Sequence, residues 1–311
     1  MPVDSPLRDD VRSVSVVGAD RSGTSLAVNL LSDLGFYAKS DNRPPDKFNP
    51  QGYGETKNLS EINNRILSIF GGPTLLPTRL PQGWEKDPRL EPVRELAADL
   101  VGEMNQHKRW VWKNEPLTLP FWRGFVPPGH RYVICVRNPM ASIESQQKAL
   151  GASRNGAALI WFNRNLAAIR NTSGERRFFL FYDDYFDQKS DQVGRLTDFV
   201  GSPAVGSERV TSALRHFDPS TEDCLRSDNV PMHAKLLYLL LSRCKEDPGF
   251  AETLSQITDS ASDESNDVVG RLELQSKIES YEKTLSHPYV RIGMSLRGAI
   301  RKATLHRFAR S

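Results

Sequence analysis

Apolar residues along this chain fall alternately into short continuous runs and into stripes at helical spacing, a pattern that predicts parallel strands covered by helices. The first run, Ser13 to Val17, is β-branched and stops at Gly18; Leu26, Leu30, Leu31 and Leu34 then mark one face of a helix ended by Gly35. The spacing predicts a second helix from Leu59 to Phe70, with Ile62, Ile66 and Ile69 on one face, and a third from Glu91 to Met104. Arg109 to Trp112 reads as a strand entering a loop. Tyr132 to Val136 is a continuous apolar strand ending at Arg137-Asn138-Pro139, and Pro behind Asn opens a helix that runs to Leu150. A further helix from Ala157 to Ile169, a strand from Phe178 to Tyr182 and a helix from Val193 to Val200 complete the expected α/β fold, a parallel sheet flanked by helices.

Beyond about Phe250 the character of the chain changes. Thr258 to Asp267 is acidic and Ser-rich and reads as a linker, and no internal repeat is evident. Leu274, Ile278, Tyr281 and Leu285 then recur at heptad spacing, fewer than the roughly three or four heptads that establish a coiled coil. Tyr289 to Ser311 carries Arg291, Arg297, Arg301, Lys302, Arg307 and Arg310 with no acidic residue. The expected organisation is a main domain over residues 1–250 and a linker with a basic helical C-terminal extension over 251–311.

At 311 residues, with 38% hydrophobic and 25% charged residues, the chain is long enough for one full α/β core and an appendage. A net charge of +3 is too small to point to nucleic acid. Cys135, Cys224 and Cys244 are odd in number and lack CxxC spacing, so neither a disulfide framework nor a zinc site is suggested. Met1 to Asp10 lacks the apolar run of a signal peptide, and no later stretch reaches the roughly 18 apolar residues of a membrane span. The reading is a cytoplasmic protein.

The chemistry starts at Gly18-Ala19-Asp20-Arg21-Ser22-Gly23-Thr24-Ser25, which has the G-x-x-x-x-G spacing of a phosphate-binding loop between a predicted strand and a predicted helix. Glycines let backbone N–H groups curl round an anion, and the helix N-terminus adds partial positive charge. In ATP and GTP enzymes the second glycine is followed by Lys; here Thr24 stands there and the cation, Arg21, lies inside the loop. Nucleoside-triphosphate hydrolysis is therefore disfavoured. The other reading of such a loop is a tight turn packing helix on strand.

Arg21-Ser22-Gly23-Thr24-Ser25-Leu26 resembles the 5′-phosphosulfate loop of sulfotransferases that use 3′-phosphoadenosine 5′-phosphosulfate (PAPS): Arg or Lys, a small residue, Gly, then two hydroxyl residues. Val136-Arg137-Asn138-Pro139 followed by Ser145 resembles the same family's 3′-phosphate element, an Arg ending a strand and a Ser eight residues on. Phe181-Tyr182-Asp183-Asp184 resembles its strand-end segment, where a tyrosine lies near the adenine, although Tyr182 fits equally a half-buried strand aromatic. The resemblance covers roughly Val11 to Gly201. It implies a P-loop-like α/β fold, PAPS as donor co-substrate, no metal, and Arg21, Ser22, Gly23, Thr24, Ser25, Arg137, Ser145 and Tyr182 as nucleotide-binding residues. Arg226 is a further residue that could reach the 3′ phosphate from a late loop.

Sulfuryl transfer needs a base, and His107, His130, His216, His233, His287 and His306 show no placement beside either motif. Glu55 is the first choice, because Asn49-Pro50-Gln51-Gly52-Tyr53-Gly54-Glu55 with Ile62-Asn63 resembles the glutamate-bearing segment of bacterial members. Its other reading is an acid leading the next helix, favoured by the dipole. Glu115 is the rival, in Lys113-Asn114-Glu115, where cytosolic members carry a histidine base. Arg21 would stabilise charge on the departing oxygen. The expected acceptor is a hydroxyl or amine of a small molecule, saccharide or lipid-linked compound, with residues 71–90, including Trp84, helping to shape its pocket. The basic tail would either touch an anionic membrane at the inner surface or pack on the main domain or a second subunit. Two other readings stay open, a P-loop small-molecule kinase and a catalytically silent nucleotide-binding scaffold.

Overall fold

The computed structural model describes residues 11–46, 52–72, 80–185, 191–202, 219–247 and 249–260. Five strands, β1 (Ser13–Gly18), β2 (Tyr37–Ala38), β3 (Trp110–Lys113), β4 (Arg131–Val136) and β5 (Arg177–Phe181), form one parallel sheet in the order β2-β3-β1-β4-β5. The register sets Val14 beside Val111 on one side and Arg131 on the other, and Tyr132 beside Arg177. All six residues of β1 and all six of β4 are buried, which explains why Tyr132 to Val136 reads as a continuous apolar run; the two serines of β1 are buried against His130.

Side-chain alternation then assigns the faces. Val14 and Val16 of β1 and Val133 and Cys135 of β4 pack with Leu26, Leu30 and Leu31 of α1 (Thr24–Asp33) and with Leu196 of the helix Gln192–Phe199. Val17, Ile134 and Val136 face the other way, onto Trp161 and Ile169 of the helix Arg154–Arg170, with Leu237 of Met232–Glu246 and Leu254 of Phe250–Ser260 behind them. Helices Lys57–Ile69 and Glu91–Met104 cover the β3 side through Ile62, Ile66, Leu100, Trp110, Trp112 and Trp122. In chain order these helices are α2 (Lys57–Ile69), α3 (Glu91–Met104), α4 (Leu119–Trp122), α5 (Pro139–Leu150), α6 (Arg154–Arg170), α7 (Gln192–Phe199), α8 (Thr221–Arg226), α9 (Met232–Glu246) and α10 (Phe250–Ser260).

Two sequence expectations need adjusting. Helix α10 places Ala251 and Leu254 in the core, so the packed body continues past position 250, and Thr258 belongs to a helix rather than to a linker. Trp84 is buried with Phe70 against α2 and α3, so it is a core residue and not a pocket wall. Residues 73–79 and the tail expected over 261–311, with its heptad stripe and basic stretch, lie outside the described residues.

Because the chain leaves β1 toward β2 at one edge and later enters β4 on the other side, the strand order reverses beside β1. The crevice beyond the C-terminal ends of β1, β3 and β4 is where open α/β sheets bind ligands. The loop after Gly18, Lys113-Asn114-Glu115 and Arg137-Asn138-Pro139 all start at these strand ends.

Candidate active site

The loop after β1 turns through residues 19–23 and enters α1. Arg21 has φ of 66°, and among the described residues it is the only non-glycine with positive φ. A left-handed backbone costs such a residue roughly 1–2 kcal/mol, and strain of this kind persists where surrounding contacts hold it. Gly23 follows with φ of 87°, and a Cβ built on it would sit 2.7 Å from Cδ2 of Tyr182. The ring therefore lies against the loop at a point where only glycine fits. The carbonyls are directed into the protein: Ala19 O accepts from Ser22 N (3.2 Å), Gly23 O from Ala27 N (3.0 Å), Asp20 O from Gln146 Nε2 (3.4 Å) and Arg21 O from Arg137 Nη1 (3.1 Å). The amides of Gly23, Thr24 and Ser25 make no hydrogen bond to a backbone acceptor among the described residues, and they sit at the N-terminus of α1. This is the arrangement an anion requires. Ser22 Oγ is buried without a hydrogen-bond partner.

The second motif meets the first directly. Asn138 caps α5 by accepting from Met140 N at 3.0 Å, with Pro139 at the first helical position as its sequence predicts. That cap fixes the start of the helix carrying Ser145, whose Oγ accepts from Arg21 Nε at 3.1 Å. Arg137, 6% exposed, stacks its guanidinium 4.2 Å from the centre of the Tyr182 ring. Tyr182 is itself buried at the end of β5, with its amide donating to Val136 O at 2.8 Å. The structure thus brings Arg21, Gly23, Arg137, Ser145 and Tyr182 into one connected set.

Glu55 arrives from a third direction. Ser25 Oγ donates to Tyr53 O at 2.8 Å, and Gly54, with φ of 60° and no room for a Cβ beside Val28 Cγ1 (2.9 Å), lies against α1. The segment is thereby laid beside the loop, and the Tyr53 hydroxyl, buried and donating to Asp46, has its pKa raised. Glu55 Oε1 pairs with Lys113 Nζ at the end of β3 (2.8 Å), and Oε2 accepts from Asn42 Nδ2 (3.1 Å). Its side chain keeps 24% exposure.

Glu115 has different surroundings. Its carboxylate, 8% exposed, accepts from Arg164 of α6 through Nη2 (2.8 Å) and Nε (3.1 Å), and its Oε1 also accepts from Leu117 N. Arg164 binds Asp20 as well; burial alone would lower its pKa, but the two carboxylates hold it raised. Arg226 pairs with Glu222 on the exposed surface of α8. Of the histidines, His130 is buried at the far end of the sheet between Ser13 Oγ (2.7 Å) and Ser15 Oγ (2.8 Å), and His107 stacks on Tyr37; His216, His287 and His306 lie outside the described residues.

Arg164, Gln146 and Asp20 are members of the site that sequence reading passes over. The signal for Arg164 is Asn163-Arg164-Asn165, three buried polar residues between apolar runs of α6. Such a group is costly to bury unless each member is satisfied.

Among the described residues, no helix is long and apolar enough to cross a membrane. No protein-family model matches the chain, and no curated protein matches it. Among solved structures it is similar to the sulfotransferase domain from the Synechococcus PCC 7002 olefin synthase, at 16% identity and a TM-score of 0.42 over 78% of this chain and 97% of that one. It is also similar to the sulfotransferase domain from the curacin biosynthetic pathway, at 16% identity and a TM-score of 0.38 over 72% of this chain and 82% of that one.

Proposed function

We propose that this protein is a sulfotransferase that moves a sulfuryl group from PAPS to a hydroxyl or amine of an acceptor. The observation that carries the reading is the joining of two anion motifs, distant in sequence, through Arg21 to Ser145 and Arg137 to the Arg21 carbonyl. A nucleotide with phosphate groups at both its 5′ and 3′ positions needs two cradles facing one crevice. A loop that turns its amides outward suits the 5′ phosphosulfate, and a buried planar guanidinium beside a helix hydroxyl suits a phosphate dianion. Tyr182, packed on Gly23 and under Arg137, offers an aromatic surface between them for the adenine.

In this reading the acceptor oxygen or nitrogen attacks sulfur in line. The bond from sulfur to the bridging 5′-phosphate oxygen breaks, and its electron pair stays with adenosine 3′,5′-bisphosphate. Arg21 and the α1 amides stabilise the charge that grows on that oxygen. Glu55 takes the proton of the acceptor. Lys113 holds that carboxylate at the crevice, whereas Glu115 is committed to Arg164, which favours Glu55 of the two. The same lysine, next to the loop, adds positive charge where the sulfuryl group would pass.

The test is sulfuryl transfer from PAPS to a simple phenol or glycoside, followed by release of adenosine 3′,5′-bisphosphate. Glu55→Gln is expected to lower kcat by about 10²–10⁴-fold while the affinity for the released nucleotide stays within about twofold. An unchanged kcat in that variant removes Glu55 from the role of base.

A further inference from the structure

Arg164 is a cation in the interior, with 4% of its side chain exposed, and it is shared by two carboxylates from two different loops. Asp20 lies two residues beyond β1, and Glu115 lies two residues beyond β3. Burying a guanidinium costs several kcal/mol unless it is fully paired, and an apolar side chain at such a position is often no less stable. Stability alone is thus a weak account of this residue, and what it touches suggests another.

Strand pairing between β1 and β3 runs only as far as Val16 and Lys113, followed by one bond from Asn114 N to Val16 O (2.9 Å). At its other edge β1 stays paired with β4 as far as Gly18 opposite Cys135; beyond Gly18 no sheet ladder orients the loop, yet Arg21 there adopts the left-handed backbone that carries its own cost. The residue immediately before it, Asp20, is the one gripped by Arg164. On the other side Glu115 N donates to Asn114 Oδ1 (2.8 Å), which also accepts from Asn63 Nδ2 (3.0 Å) of α2. One polar chain, buried from Arg164 onward, therefore runs from the anion loop to the helix that begins two residues after Glu55.

We infer that Arg164 is a positioning residue: by binding Asp20 and Glu115 together it holds the loop of residues 19–23 in the turned form that faces its amides outward, in fixed relation to the Glu55 segment. The inference rests on reading residues 18–25 as an anion loop, and it touches no reacting atom.

The experiment compares the wild-type protein with Asp20→Asn and Arg164→Lys by amide hydrogen exchange without nucleotide, then by calorimetry with adenosine 3′,5′-bisphosphate. Asp20→Asn keeps the shape of a side chain that is 30% exposed and leaves the Arg164–Glu115 pair in place, so it remains informative if Arg164→Lys does not fold. The expected result in Asp20→Asn is exchange at least about tenfold faster at the Ser22 and Ala27 amides, which report the loop, with α6 and β4 unchanged. The expected nucleotide affinity falls by about tenfold or more, and Arg164→Lys, where folded, lies between the two. Unchanged exchange at Ser22 and Ala27, or acceleration spread evenly over α6 and β4, would overturn the inference. If the wild-type protein binds no adenosine 3′,5′-bisphosphate but the loop amides still accelerate, the nucleotide reading fails and the positioning role stands.

Discussion

Gly23 shows how much a single position constrains. Its backbone lies in the left-handed region and its missing side chain makes room for the Tyr182 ring. Gly23→Ala therefore adds both backbone strain and a contact that the buried ring cannot easily yield to, together costing about 1–3 kcal/mol. Thermal unfolding is expected to shift down by several degrees, and phosphate-dependent stabilisation to shrink, since the loop amides move with the ring. A variant that matches the parent in both would show that Tyr182 yields and that the loop tolerates a side chain. The glycine, the cation and the hydroxyls of this loop were all legible in the sequence, because they are neighbours along the chain. Arg164 was not. Its partners stand 144 and 49 residues away, and nothing local to α6 names them.

Elements were legible where one face is buried and the other is wet. Helix α3 runs over Glu91–Met104 as expected, and α5 runs over Pro139–Leu150, opened by Asn138 and Pro139 as the sequence predicts. The edge strand β2 was not, because two residues have no period to show. Helix α9 escaped for the opposite reason: Leu236, Leu239 and Leu240 stay exposed while Leu237 and Leu241 are buried, so the helix lacks the polar face that gives amphipathic contrast. At this scale His130 carries a pH prediction. Burial pushes its pKa down to about 3, from 6.5, while its ring nitrogens meet hydroxyls on β1. Above pH ~6.5 the ring is neutral in both folded and unfolded chains, and its contribution to stability is fully present. As pH falls from ~6.5 toward ~3 the unfolded chain takes up a proton that the folded one refuses, so this contribution is lost at up to ~1.4 kcal/mol per unit. Denaturant melts between about pH 7 and about pH 4.5 should show His130→Gln with the lower stability at the upper end and the flatter slope below it. Parallel slopes for the two proteins would mean that His130 is not the group responsible.

For the molecule as a whole, the order β2-β3-β1-β4-β5 gathers at one crevice what the chain scatters over more than a hundred residues: the loop after β1, the Lys113 end of β3, and the Arg137 end of β4. The parallel α/β class was legible from the alternation of runs and stripes. The strand order was not, because it depends on which buried strands pair, and all of them are similarly apolar. The account predicts that this crevice grips a nucleotide at two ends. Titration calorimetry with adenosine 3′,5′-bisphosphate and with adenosine 5′-phosphate, under the same salt, measures that claim most directly. Loss of the 3′ phosphate is expected to weaken binding by about 10–100-fold in the wild-type protein, as charge-assisted bonds to Arg137 and Ser145 disappear, and to matter little in Arg137→Met. Equal affinity of the wild-type protein for the two nucleotides would contradict the account.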